Sequence, residues 1–469
     1  MKKLVVLIFI SLEIFCANNQ TLDLTQVVVN PHLPFSINVE VADFTLPVGI
    51  QSGAYAQCGS KVLFIAGRIN GLHGFDNDDD NFPPNQQNTS VFVIDLWRKT
   101  VQTRSLYDAS SGLTQDQIDT LSVTSPQFYQ KGDMLYMTGG YGVDTNTGNF
   151  STKPILTAIN VPGLIRWVIA QWQGTRASQF IRQISNPVFQ VTGGAMYQIG
   201  NNPTLLIMGQ NFAGFYTDSS NGAYTMQVRR FCILDDGKNL EAGILDSTQP
   251  DQNYRRRDLN VVPIVKLCND KKAAAFVALS GVFTLNSGVW TVPIEISACG
   301  HSCMPNPATV PTAFKQGMNN YNSAHAELFS KNGTMYIIIF GGLTYEYFQD
   351  GQFVTDAEIP FTNEITVIKR YKNGRYEQDL LATQFPTILS TASNPGNPLL
   401  FGTGARFVPA PDIPIYANGV LRLDKIKKQT VIGYIIGGIQ STLPNTNVPS
   451  DSAASPYIFK VILTPSCCR

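Results

Sequence analysis

Apolar residues along this chain come in short runs rather than in helical stripes. Ser90-Val-Phe-Val-Ile-Asp-Leu-Trp97 and Gly333-Thr-Met-Tyr-Ile-Ile-Ile-Phe-Gly-Gly342 are typical. The runs are rich in β-branched and aromatic residues and bounded by turn residues, the pattern of strands. Two segments align without a gap: Ser52-Gly-Ala-Tyr-Ala-Gln-Cys-Gly-Ser-Lys-Val-Leu-Phe-Ile-Ala-Gly67 and Ser125-Pro-Gln-Phe-Tyr-Gln-Lys-Gly-Asp-Met-Leu-Tyr-Met-Thr-Gly-Gly140. Looser copies begin at Asn186, Val261, His325 and Gly404, and end at Gly209, Gly281, Gly342 and Gly438. The glycine ends recur at about 60 to 75 residues, the last gap being longer, which is the spacing of a repeat architecture.

Each unit continues in the same way. A polar loop follows the glycine, then a third strand such as residues 90–97, then an outer strand such as Thr100-Val-Gln-Thr-Arg-Ser-Leu106. A four-stranded unit too small to bury both faces of its sheet predicts radial stacking into a propeller. The sixth unit stops after three strands, at Ile462-Leu-Thr-Pro465. The alternating stretch Ser36-Ile-Asn-Val-Glu-Val-Ala-Asp-Phe44 supplies its missing outer strand and pins the chain ends together. The expected fold is all-β: a six-bladed propeller of four-stranded blades, the last closed by an N-terminal strand. Seven blades is the alternative, because a decayed unit has room within residues 386–417.

A strand ending in Gly-Gly, then a loop, then a strand closed by Trp resembles the kelch repeat. Gly139-Gly140, Gly341-Gly342 and Gly437-Gly438 carry the doublet, and Gly67, Gly209 and Gly281 carry one glycine each. Trp97 and Trp167 stand where kelch repeats place a tryptophan. The resemblance covers residues 35–466, between a leader at 18–34 and a tail at 467–469. It implies a kelch-type propeller that binds a protein or glycan through loops on one face. Copper-radical oxidases with kelch-like propellers use a Tyr-His pair; none of His32, His73, His301 and His325 follows a tyrosine, so that chemistry is not expected. Kelch propellers that epimerise sialic acid keep a carbohydrate-directed enzyme, epimerase or hydrolase, as the alternative function.

Composition agrees with stacked sheets. Of 469 residues, 43% are apolar and only 14% charged, against about 25% in an average domain. Lys plus Arg and Asp plus Glu number 34 each, so no basic field points to nucleic acid. Lys2 and Lys3 precede an apolar run over residues 4–15, too short to span a bilayer. The run reads as a signal peptide over residues 1–17, predicting a secreted, periplasmic or cell-surface protein; Glu13 makes it a poor lipoprotein signal for Cys16. Export permits disulfides, and Cys299 and Cys303, enclosing Gly-His-Ser, read as a small disulfide-closed loop. Sequons stand at Asn19, Asn88, Asn149 and Asn332.

Long loops follow several glycine strands, at residues 70–88, 142–153, 211–224, 343–363 and 440–456, and are expected to open on one face with the channel mouth. In the first, Asp76, Asp78 and Asp80 resemble the opening of a calcium loop. The glycine and the later bidentate Glu are missing and Phe82-Pro83-Pro84 follows, so the run reads as a solvated acidic tip and no cofactor is expected. Arg255-Arg256-Arg257 leads into the fourth unit, where Arg256 and Arg257 are placed to hold a carboxylate or sulfate. Ser52, Ser125, Asn186, His325 and Arg406 begin inner strands and are the other candidate ligand contacts. No nucleophile elbow, Walker loop or zinc-protease motif occurs.

Overall fold

The computed structural model describes residues 27–29, 32–75, 81–170, 174–217, 220, 222–286, 288–349, 352–446 and 448–466. Residues 1–17 of the expected signal peptide, Asp76, Asp78, Asp80, Cys467 and Cys468 lie outside them.

Six four-stranded antiparallel blades surround a common axis. The first is Ala54–Cys58, Lys61–Ile65, Ser90–Asp95 and Thr100–Ser105, and the second is Gln127–Lys131, Met134–Thr138, Ile155–Asn160 and Ile181–Ser185. The third is Ala195–Tyr197, Thr204–Ile207, Val228–Asp235 and Leu240–Leu245. The fourth is Asn260–Cys268, Lys271–Leu279, Ile294–Ser297 and Ser302–Cys303, and the fifth is Ala324–Phe329, Met335–Leu343, Phe361–Arg370 and Tyr376–Gln384. The sixth takes Arg406–Pro409, Thr430–Ile436 and Ile458–Pro465 from the C-terminal end and Phe35–Val41 from the N-terminal end, paired Phe35↔Pro465 to Val41↔Phe459. Phe35, Ile37 and Val39 alternate inward from this closing strand into the core between the fifth and sixth blades. The seventh blade does not form: residues 386–405 run as a connection into Arg406–Pro409, and 410–429 as a long turn of the sixth blade.

Several elements escaped the periodicity, among them the helix Gln115–Leu121 that joins the first blade to the second. The helix Val161–Ala170 is inserted between the third and fourth strands of the second blade. Asn160 starts it by accepting a hydrogen bond from the Gly163 amide at 2.8 Å. It packs on the first blade, and it carries Trp167, which is therefore buried on a helix and not at a strand end. Trp97 does follow a third strand but is 66% exposed. The leader contributes Val27–Val29, which pairs in parallel with the outer strand of the fifth blade.

The glycine doublet has one conformation in all six blades. Both positions have positive φ: Ala66-Gly67, Gly139-Gly140, Met208-Gly209, Ser280-Gly281, Gly341-Gly342 and Gly437-Gly438. The second must be glycine at Gly67 because a Cβ there would lie 2.3 Å from the Gln51 carbonyl oxygen.

The waist of the channel is a ring of backbone. Ser52, Ser125, Gly193, Asp258, Asn322 and Gly404, one before each inner strand, all have positive φ. Their amides and carbonyls link head to tail: Gly404 donates to Asn322 (2.7 Å), Ser52 to Gly404 (2.9 Å), Ser125 to Ser52 (3.0 Å), Gly193 to Ser125 (3.2 Å) and Asp258 to Gly193 (2.6 Å). Between the fourth and fifth blades the Asn260 side chain makes the connection, donating to the Asn320 carbonyl (3.1 Å) and accepting from the Ser323 amide (3.0 Å).

Candidate functional site

The waist separates two cavities on the axis. The first, about 430 Å³, opens among the connections between second and third strands. Four of these connections form two-stranded ribbons: Tyr141–Val143 with Phe150–Thr152, Gln210–Asn211 with Ala223–Tyr224, Glu346–Gln349 with Gln352–Thr355, and Ile439–Ser441 with Ser452–Ala454. Residues of the first, third, fifth and sixth blades' long loops line this cavity, so those loops converge on one mouth as expected.

Two positions per blade face this mouth. One precedes the ring residue, giving Gln51, Thr124, Thr192, Arg257, Tyr321 and Thr403; the other follows the glycine doublet, giving Arg68, Tyr141, Gln210, Val282, Leu343 and Ile439. Arg68 donates from Nε to Asn70 Oδ1 (2.9 Å) and from Nη2 to the Pro83 carbonyl (2.9 Å), and its guanidinium lies 5.0 Å from the Phe82 ring. Burial pulls it down to about 10. His73 lies 4.7 Å from each of the Phe75, Phe82 and Tyr216 rings. Its Nδ1 is 2.8 Å from the Gly74 carbonyl, which can only accept, so Nδ1 carries the proton. Burial lowers its pKa to about 4, the Gly74 carbonyl opposing.

Arg257 reaches the floor. Its Nη1 meets Asp258 Oδ2 at 3.1 Å, Nε donates to the Tyr224 hydroxyl (3.1 Å) and Nη2 to the Tyr216 hydroxyl (3.3 Å). Burial pushes the Asp258 carboxyl up, against the pull of Arg257. Gly193 leaves room for this carboxylate, since a Cβ there would sit 2.8 Å from Asp258 Oδ1.

The second cavity, about 480 Å³, lies at the opposite mouth, lined by the inner strands and by Ile415, Ala417, Asn418 and Leu421 of the sixth blade's long turn. His325, Glu327 and Arg406 face it, with Tyr55, Phe128 and Tyr197. Ser125, Gly193, Asp258 and Asn322 of the waist touch both cavities.

The predicted contacts are thereby divided. Ser52, Ser125 and Arg257 are at the long-loop mouth, and Ser125, His325 and Arg406 at the other. Arg256 lines neither: it is 0% exposed, donating to the Ser280 (3.2 Å) and Val292 (2.7 Å) carbonyls, 4.9 Å from the Trp290 ring. Neighbours on an extended backbone point to opposite sides, so only one of the pair enters the channel. Asn186 does not begin an inner strand; its side chain accepts from the Val188 amide (2.9 Å) and caps a 3-10 turn, and the strand starts at Ala195. Pro187 next to it has no amide for a ladder.

Cys299 and Cys303 are free thiols, and Cys299 Sγ lies 3.2 Å from Ser297 Oγ. The loop between them is closed instead by backbone bonds from Ser297 to His301 (2.8 Å) and Gly300 to Ser297 (3.0 Å). Asn88 is 2% exposed, with its amide committed to the Ala66 and Ser90 carbonyls (both 2.9 Å), so this sequon is buried; Asn149 and Asn332 are exposed. Among the described residues no group of three His, Cys, Asp or Glu is arranged to hold a metal, and no helix is long and apolar enough to cross a membrane.

Arg68, His73, Phe82, Tyr216, Asp258 and Glu327 were not singled out by sequence. The usable signal was positional: the residue after each glycine doublet and the one before each ring position face the mouth. No protein-family model matches the chain, and no curated protein matches it. Among solved structures, that of YjhT aligns over 90% of this chain and 98% of its own, at 11% identity and a TM-score of 0.46.

Proposed function

We propose that this chain is an exported, kelch-type propeller that binds a glycan at its long-loop mouth, with an acidic group of the sugar held by arginine. One observation carries the reading: a concave site of about 430 Å³ in which His73, Phe75, Phe82 and Tyr216 surround two arginines, Arg68 and Arg257. Aromatic faces suit the C–H surfaces of a sugar ring, and small-ligand sites are concave, mostly apolar and fixed by a few polar groups. Among the described residues Arg68 hydrogen-bonds only neutral oxygens, and a carboxylate or sulfate suits its fork. Ser52 and Ser125 at the waist supply the hydroxyl contacts at the bottom.

A glycan array with the mature protein tests this. Retention of carboxylated or sulfated glycans, weakened roughly tenfold or more by Arg68→Gln, is expected. Retention of neutral glycans alone, or of none, overturns it. One observation favours the enzyme as second reading: Asp258, a carboxyl raised by burial, stands on the cavity floor beside Arg257. Turnover of a retained glycan, abolished by Asp258→Asn, would replace binding with catalysis.

A further inference from the structure

The opposite mouth holds a second constellation, independent of the reading above. His325 and Glu327 are two apart on the inner strand Ala324–Phe329 of the fifth blade, so both side chains project from one face, into the channel. Nδ1 of His325 meets Glu327 Oε1 at 2.5 Å. A carboxylate in that position fixes the ring and its tautomer, with the proton on Nδ1. Among the described residues Nε2 takes part in no hydrogen bond, and it belongs to a ring that lines the cavity.

Arg406, on the inner strand of the neighbouring sixth blade, donates from Nε to the Gly53 carbonyl (3.1 Å) and from Nη1 to the Ala405 carbonyl (3.4 Å), and lies 5.7 Å from the Phe128 ring. Among the described residues Nη2 has no hydrogen bond and no carboxylate forms an ion pair with this guanidinium, Asp258 acting on it only through space. Burial holds its pKa below the usual arginine value. A half-buried cation supported by two carbonyls, the Phe128 ring and, through space, the Asp258 carboxylate gains from an anion arriving at its free nitrogen. Tyr55 and Tyr197 flank these groups with their hydroxyls committed, to the Phe407 (3.0 Å) and Val261 (2.7 Å) carbonyls, so they present ring faces rather than donors.

We propose that this mouth is a second ligand site, selective for small hydroxycarboxylates with an apolar body. The carboxylate occupies Nη2 of Arg406, the hydroxyl donates to Nε2 of His325, and the apolar body lies against Tyr55, Phe128 and Tyr197. Glu327 is a positioning residue.

Mandelate, phenylacetate and mandelamide test each contact, measured by calorimetric titration of the full chain. Mandelate lacks nothing, phenylacetate lacks the hydroxyl, and mandelamide lacks the charge. Mandelate is expected to bind best and mandelamide least, with Arg406→Gln weakening mandelate by roughly tenfold or more. His325→Phe should erase the advantage of mandelate over phenylacetate while leaving phenylacetate unchanged, which keeps the test decisive if Arg406→Gln does not fold. Arg98→Gln, on an exposed turn of the first blade, should change none of these values. Equal binding of mandelamide, no mandelate binding at millimolar concentration, or loss through Arg98→Gln rather than His325→Phe overturns the proposal. Failure here leaves the glycan reading untouched, since that rests on the other cavity.

Discussion

Glu295 ties the fourth blade to the fifth, and removing its charge should loosen that seam by a predictable amount. It stands on the third strand of the fourth blade. It accepts from Arg370 Nε (2.5 Å) and the Tyr376 hydroxyl (2.7 Å) of the fifth blade, and from Lys266 Nζ (2.6 Å) of its own. Burial by itself would raise the carboxyl, but these three donors outweigh it and hold it near 2, against an ordinary 4.5. That displacement corresponds to about 3 kcal/mol at most. With the side chain 23% exposed, screening reduces it to about 2 kcal/mol. Glu295→Gln also leaves Arg370 and Lys266 facing each other without a carboxylate, so the expected loss at neutral pH is about 2–4 kcal/mol. The sign follows from a pKa depressed on folding: the stabilisation is complete above 4.5 and disappears as pH falls toward 2. Denaturant unfolding of both proteins from pH 7 to pH 2 checks this, because other acid-labile groups cancel in the difference. A gap that stays constant through that range, or one below about 0.5 kcal/mol at pH 7, refutes the reasoning.

Adjacent positions of the first glycine doublet should respond oppositely. Ala66→Gly relieves a φ of 63° and should stabilise by about 0.5–1 kcal/mol, whereas Gly67→Ala drives a Cβ into the Gln51 carbonyl and should cost about 2 kcal/mol or more, both read from thermal unfolding. Val39→Asp places a charge inside the closing strand and should destabilise the ring by about 3 kcal/mol or more; unfolding within about 1 kcal/mol of the parent would deny that strand its closing role. His73, held near 4, favours the folded mouth above 6.5 and loses that contribution as pH falls from 6.5 through 4, by about 1–2 kcal/mol. A His73→Phe variant should flatten the corresponding part of the stability profile, and an unchanged profile would contradict the assignment.

The blades were legible because each repeats the same physical demand. A strand that must turn at positive φ needs glycine, and Gly67, Gly140, Gly209, Gly281, Gly342 and Gly438 announce it. The closing strand was legible because Ser36–Val39 alternates with period two and the sixth unit was one strand short. The first doublet position was obscured where Ala66, Met208 and Ser280 accept the same conformation at some cost. Helix Val161–Ala170 was missed although Val161, Leu164, Ile165 and Val168 form a helical stripe, because the run is short and opens on Pro162 and Gly163, which read as a turn. Arg256 was misplaced because a charge run does not reveal which neighbour faces inward. The pocket aromatics were hidden for a different reason: His73, Phe82 and Tyr216 come from loops of the first and third blades that meet only after closure.

The waist has a genetic consequence. Five of its links are peptide groups, which every residue except proline carries, so substitution seldom deletes them. The sixth junction depends on one amide side chain, that of Asn260. Heritable variation can therefore remodel either mouth while leaving the hoop intact, yet a single codon can sever it between the fourth and fifth blades. Tolerance to mutation should be uneven around the circle, with its weakest arc at Asn260.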